Sequence, residues 1–126
     1  MDAGFRGLGF DLTLLDARPS ARADEPIGVA VENGIALFLG LIPSTDVDLA
    51  SAAGRPAKPL VAINRLAGPA RRLWSRLGFA PELLGQLNVV TPTCGLAGAS
   101  PSWPKTAYRA CLEVATALVE SPEEAA

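Results

Sequence analysis

The chain has 126 residues, room for one domain, and 49% of them are hydrophobic, enough to furnish a core. A formal net charge of -2, with no basic stripe and no aromatic-plus-arginine cluster, argues against a nucleic-acid partner. The two cysteines are too few for the disulfide framework of a small secreted domain, and there is no histidine.

Asp2, Asp11 and Asp16 interrupt the apolar residues near the amino terminus, which spoils a signal-peptide reading. No run reaches the ~18 apolar residues of a membrane span. The expectation is a cytoplasmic protein with no membrane partner.

In chain order, Leu8 to Leu15 is a short apolar run broken by Asp11 and Thr13, read as a strand entering a loop. Asp24, Glu25 and Pro26 give a helix start, with acids and a proline in the first turn. Asn33-Gly34 ends that helix with residues that tolerate the left-handed cap. Ile35 to Ile42 is apolar on both faces, the pattern of a covered parallel strand. The polar turn Pro43-Ser44-Thr45-Asp46 closes it, with Asp46 expected to bond its own backbone.

Pro56 and Pro59 mark the next helical region, in which Leu60, Ile63 and Leu66 recur at helical spacing until Gly68-Pro69 interrupts it. A second segment runs from Pro69 to Leu77, with Leu73, Trp74 and Leu77 on one stripe and Arg71, Arg72 and Arg76 on a solvated face. Gly78 stops it. Pro81 to Gln86 predicts one further turn, and Leu87 to Val90 a third strand running into a loop around Cys94. Ser100 or Ser102 is placed to cap the last helix, whose expected core face is Tyr108, Cys111, Leu112, Ala115, Leu118 and Val119. Trp74 and Trp103 are expected to pack, the second as a staple at a helix start. Residues 121–126 read as a frayed, acidic tail.

Strand-helix repetition predicts an α/β fold of about three parallel strands with covering helices. Such a sheet is small and open at both edges, and a whole (β/α)8 barrel takes ~250 residues. The pattern is that of a partial TIM-type barrel, a single partial domain over residues 1–126. Cys94 is the most informative residue, because the carboxyl ends of parallel strands are where α/β folds place their chemistry.

The segment Leu87-Asn-Val-Val-Thr-Pro-Thr-Cys94-Gly-Leu resembles the closing strand of the cobalamin-independent methionine synthase family, where an apolar strand runs into Pro-x-Cys-Gly-Leu. Gly9-Phe10-Asp11-Leu12-Thr13 and Phe38 to Asp46 are similar to the two preceding strand ends of that family's carboxyl-terminal barrel. The resemblance spans Gly4 to Glu120 and is most specific at Pro92 to Leu96. It implies methyl transfer from methyltetrahydrofolate to the thiol of homocysteine, activated by a zinc ion held by a histidine, two cysteines and a glutamate. Cys94 matches the last ligand cysteine. Asp11 falls where the acidic ligand would be, with aspartate in place of glutamate. The family's histidine and first cysteine belong to an earlier strand, so the resemblance implies an incomplete zinc site and a chain inactive alone.

Blander readings stand beside these. Cys94 can be a small buried residue in a tight loop or a redox thiol, and Asp11 a capping acid. Gly95 and Gly98 can turn the backbone or offer amides to an anion. The alternative for the whole chain is a non-catalytic remnant or partner-dependent α/β binding module. Either a partner chain or self-association would cover the open sheet edges.

Overall fold

The computed structural model describes residues 4–47, 49, 51–52, 55–56 and 59–123. Five strands and five helices are defined among them: β1 (Gly7–Asp11), α1 (Leu12–Ala17), α2 (Ala21–Glu32), β2 (Ala36–Ile42), β3 (Ser51–Ala52), β4 (Arg55–Pro56), α3 (Pro59–Leu77), α4 (Leu83–Leu87), β5 (Asn88–Pro92) and α5 (Trp103–Glu120). The fold is α/β. β1, β2 and β5 form a three-stranded parallel sheet with β2 in the centre, and β3 and β4 make a separate two-residue antiparallel ladder.

Alternation along β2 decides which side of the sheet is covered. Leu37, Leu39 and Leu41 are 0, 0 and 2% exposed, whereas Phe38 between them is 40% exposed. Side chains along a strand point to opposite faces in turn. The leucines join Leu12, Ile27, Leu73, Trp74, Val114 and Leu118 in one core on the helix side. Phe38 lies on the other side, over Gly7 and Gly9 of β1 and beside Val89 of β5, itself 44% exposed. That face is bare among the described residues. The apolar character of β2 on both faces predicts two covered sides; among the described residues only one is covered.

Several local expectations are corrected by tertiary packing. The run Leu8 to Leu15 is not one strand: β1 stops at Asp11, whose carboxylate caps α1, and Leu12 is buried. α2 begins at Ala21, because Ser20 accepts the Ala23 N–H and supplies the cap, so Asp24 to Pro26 lie within the helix. Ile35 precedes β2 rather than opening it, though it is buried. Gly68-Pro69 does not interrupt the third helical region. α3 runs unbroken for 19 residues, since Ala67, Ala70, Leu73 and Trp74 are all buried in the core and that packing outweighs the backbone bond lost at Pro69. Pro56 falls in β4, not in a helix.

The core face of α5 is turned from the expected one. Trp103, Ala107, Ala110, Cys111, Val114 and Leu118 are buried, whereas Tyr108, Leu112 and Val119 are 68, 53 and 61% exposed. Small residues let α5 approach α3 and the sheet closely, and the larger apolar side chains are left outside. Arg71 is likewise not solvated: it is 7% exposed and donates to the Asn64 side chain at 3.2 Å and the Ala117 carbonyl at 3.5 Å.

Other expectations hold. Gly34 and Gly78 take the left-handed conformation, both at φ +77°, where α2 and α3 end. Trp74 packs on Phe79 with ring centroids 5.2 Å apart, and its indole N–H donates to the Ala80 carbonyl at 2.9 Å. Of the expected tail, Ser121 donates its N–H to the Ala117 carbonyl at 2.8 Å; residues 124–126 lie outside the described residues. No described helix is long and apolar enough to cross a membrane.

Candidate functional site at the carboxyl rim of the sheet

Parallel strands end on one edge, so the residues after Asp11, Ile42 and Pro92 share a rim. Gly40 draws the three strand ends together. A β-carbon there would lie 2.8 Å from the Phe10 carbonyl oxygen, 3.1 Å from Thr93 Cα and 3.2 Å from Asp11 Cα. All three are backbone atoms and cannot yield as a flexible side chain would. The backbones of Asp11 and Thr93 thus flank one glycine, and Cys94 follows Thr93 directly.

β2 carries one more residue than β5 between the pairs Gly40–Thr91 and Ile42–Pro92. This bulge bends the strand end and lets Leu41 and Ile42 both enter the core. The Thr93 N–H then donates to the Ile42 carbonyl at 2.8 Å, extending the pairing one step beyond β5.

The loop from Thr93 to Ser102 is fastened at its far end too. The Asp46 carboxylate accepts the Ser100 N–H at 2.7 Å and the Ser100 hydroxyl. These bonds, the hydroxyl's foremost, hold the Asp46 carboxyl below the usual aspartate value. Trp103, 4% exposed, donates its indole N–H to the Pro43 carbonyl at 2.9 Å. Two expectations change accordingly: Asp46 bonds chiefly to Ser100 across the rim, and Ser102, the N-cap residue of α5, makes no side-chain capping bond, its hydroxyl lying 3.2 Å from that of Ser100. Neither Gly95 nor Gly98 adopts the left-handed backbone.

Within this frame Cys94 is an exposed free thiol. Asp11 accepts the Thr13 N–H at 3.0 Å and the Thr13 hydroxyl, both on Oδ1, as N-cap of α1. Its observed work is therefore the capping one. Cys111 is buried on α5, and burial pushes its thiol pKa up, which keeps it protonated and unreactive at neutral pH.

Cys94 and Asp11 by themselves do not complete a catalytic zinc site. Such an ion takes about three protein ligands and keeps one position open. Among the described residues no three His, Cys, Asp or Glu side chains are grouped to hold a metal ion. Of the two candidates, Asp11 already spends one oxygen on Thr13.

Reading the sequence missed Gly40, whose signal was present: a glycine inside an apolar strand marks a close backbone approach. It also missed the pairing of Asp46 with Ser100, for which 54 residues of separation leave no local trace. Comparison of the chain with protein-family models, with curated proteins and with solved structures gives no match.

Proposed function

We propose that this chain is the carboxyl-terminal βα part of a (β/α)8 methyltransferase barrel of the cobalamin-independent methionine synthase type, cytoplasmic and inactive alone. The observation that supports this is the exposed Cys94 thiol just past the carboxyl end of β5, beside a sheet face that no described helix covers. The reaction of the complete enzyme would be transfer of a methyl group from methyltetrahydrofolate to the homocysteine thiol. This chain contributes Cys94 as one thiolate donor toward zinc, the strand crossing at Gly40 that sets its height, and the Asp46–Ser100 clasp that fixes its loop. Histidine and the remaining donors would come from the earlier βα units of the barrel, lying against the bare face and closing the sheet.

A second reading is favoured by the incomplete donor set: a partner-dependent α/β binding module without catalysis. Zinc analysis separates the two. The isolated chain and its Cys94→Ser variant should both lack stoichiometric zinc and transfer no methyl group. Mixed with a polypeptide carrying the earlier βα units of a methionine synthase barrel, the unmodified chain should gain both properties and Cys94→Ser neither. Methyl transfer by the isolated chain, or equal zinc in both mixtures, would refute the enzymatic reading. A mixture that forms without zinc would leave the binding module.

A further inference from the structure

We infer that the groove along the open edge of β5 is a self-association surface, on which a second copy of this chain pairs its own β5 antiparallel about a two-fold axis and packs α5 against α5. The inference concerns the isolated chain and does not use the Cys94 thiol; it takes the same open β5 edge that barrel-closing βα units would take, so the two occupants compete for it.

Three observations converge there. First, among the described residues β5 pairs only with β2, so its outer edge presents unpaired backbone donors and acceptors. An open edge is a template for another strand unless it is charged, covered or strongly bent. Second, the edge borders a groove of about 590 Å³ between β5 and α5, whose lining includes Val90, Pro92, Leu96, Tyr108, Leu112 and Ala115. No charged residue lines it. In a two-fold contact a group on the axis meets its own copy, so a charge there would face a like charge. A neutral apolar groove carries no such penalty.

Third, α5 exposes large side chains beside the groove. Tyr108, Leu112 and Val119 lie within one turn-spanning stripe of α5 and are 68, 53 and 61% exposed. Together they offer on the order of 300 Å² of surface, at the low end of the largest patches on monomers, which are often functional. A standard interface takes about 800 Å² from each partner. The paired β5 backbones and the neighbouring Leu87, 42% exposed, add to the stripe.

The open edge of β1 is a poorer partner for this groove. The exposed Arg6 precedes it, and α1 behind it carries Asp16, ion-paired to Arg72 at 2.8 Å. Joining β5 to β1 of the next copy would also be head-to-tail, leaving a free edge at each end and inviting filaments. Pairing β5 with β5 closes at two copies.

The test is sedimentation equilibrium of the full chain from about 1 to 100 μM, a range suited to interfaces of this size, with amide hydrogen exchange at both ends of it. The expected mass is twice the 13.0 kDa of one chain at high concentration. Exchange should slow at β5 and stay fast at β1. Leu112→Glu and Tyr108→Lys should each return a single-chain mass while keeping a cooperative melt. Both positions are exposed, so if one variant fails to fold the other decides. Val29→Glu, at a 49% exposed site on α2, should leave the dimer intact. A single-chain mass at 100 μM, a dimer that survives both α5 substitutions, or slowed exchange at β1 would overturn the inference. A single-chain mass would leave the zinc reading standing, whereas a dimer must yield the β5 edge before closing βα units can bring their donors to Cys94.

Discussion

Asp46 and Ser100, 54 residues apart, are joined twice: one carboxylate oxygen accepts the Ser100 N–H at 2.7 Å and the other accepts its hydroxyl. The contact links the loop after β2 to the loop after β5, and so fixes the segment that carries Cys94. Because the carboxyl is held below its ordinary value in the folded chain, the contact stabilises fully above about pH 4, the unfolded aspartate value. It is lost as pH falls through the lower folded value. Asp16, lowered chiefly by its bond from Arg72, adds a contribution of the same sign. Thermal melts of the unmodified chain should therefore fall in Tm from pH 5 to pH 2. Asp46→Asn should lower Tm at pH 7 and flatten that acid dependence; an unchanged slope would show that the rim contact contributes nothing.

Gly40→Ala tests the crossing of the strand ends. The added methyl meets three backbone atoms at 2.8 to 3.2 Å. Overpacking of this kind costs roughly 1–3 kcal/mol, and here nothing flexible can absorb it. Urea unfolding should show a loss toward the upper end of that range. Gly95→Ala, where no atom lies within 4 Å of the added carbon, should be nearly neutral.

The two thiols should differ sharply in reactivity. Cys94 is exposed, and Cys111 is 9% exposed with its thiol pKa raised by burial. Iodoacetamide applied to the native chain should label Cys94 alone, with Cys111 labelled only in denaturant. Mass spectrometry of the peptides reads this directly, and native labelling of Cys111 would contradict the described packing of α5.

Arg76 pairs with Asp24 through bonds of 2.7 and 3.2 Å, and the Asp24 residue is 8% exposed. Removing the arginine leaves a mostly buried carboxylate without its counter-charge. Arg76→Ala should cost about 2 kcal/mol, below the 3–5 typical of fully buried pairs because Arg76 is partly open to water. Substituting Arg72, whose side chain is 51% exposed in its pair with Asp16, should cost well under ~1 kcal/mol. Similar losses for the two variants would show that burial does not set the strength of these pairs.

Local sequence determined the number and order of the main strand-helix units, the helix stops at Gly34 and Gly78, and the place of Cys94 just past a strand end. Each of these depends on a few consecutive residues: apolar runs, glycines that tolerate positive φ, and turn formers. The resemblance that suggested a zinc site came from equally local motifs. What the motifs could not convey is that Asp11 spends its carboxylate on Thr13, or that the helices cover only one face of the sheet.

Tertiary packing alone decided the continuity of α3 through Pro69, the burial of Arg71, and the rotation of α5 that buries alanines while exposing Tyr108 and Leu112. Helical periodicity marks an apolar stripe, but which side of a broad stripe faces inward depends on how near its neighbours must come. Here α3 and the sheet come close enough that Ala107 and Ala110 fit and a tyrosine does not. Chain-distant contacts such as Asp46–Ser100 and the strand ends meeting at Gly40 arise only when three strands align, and no window of neighbouring residues encodes that alignment.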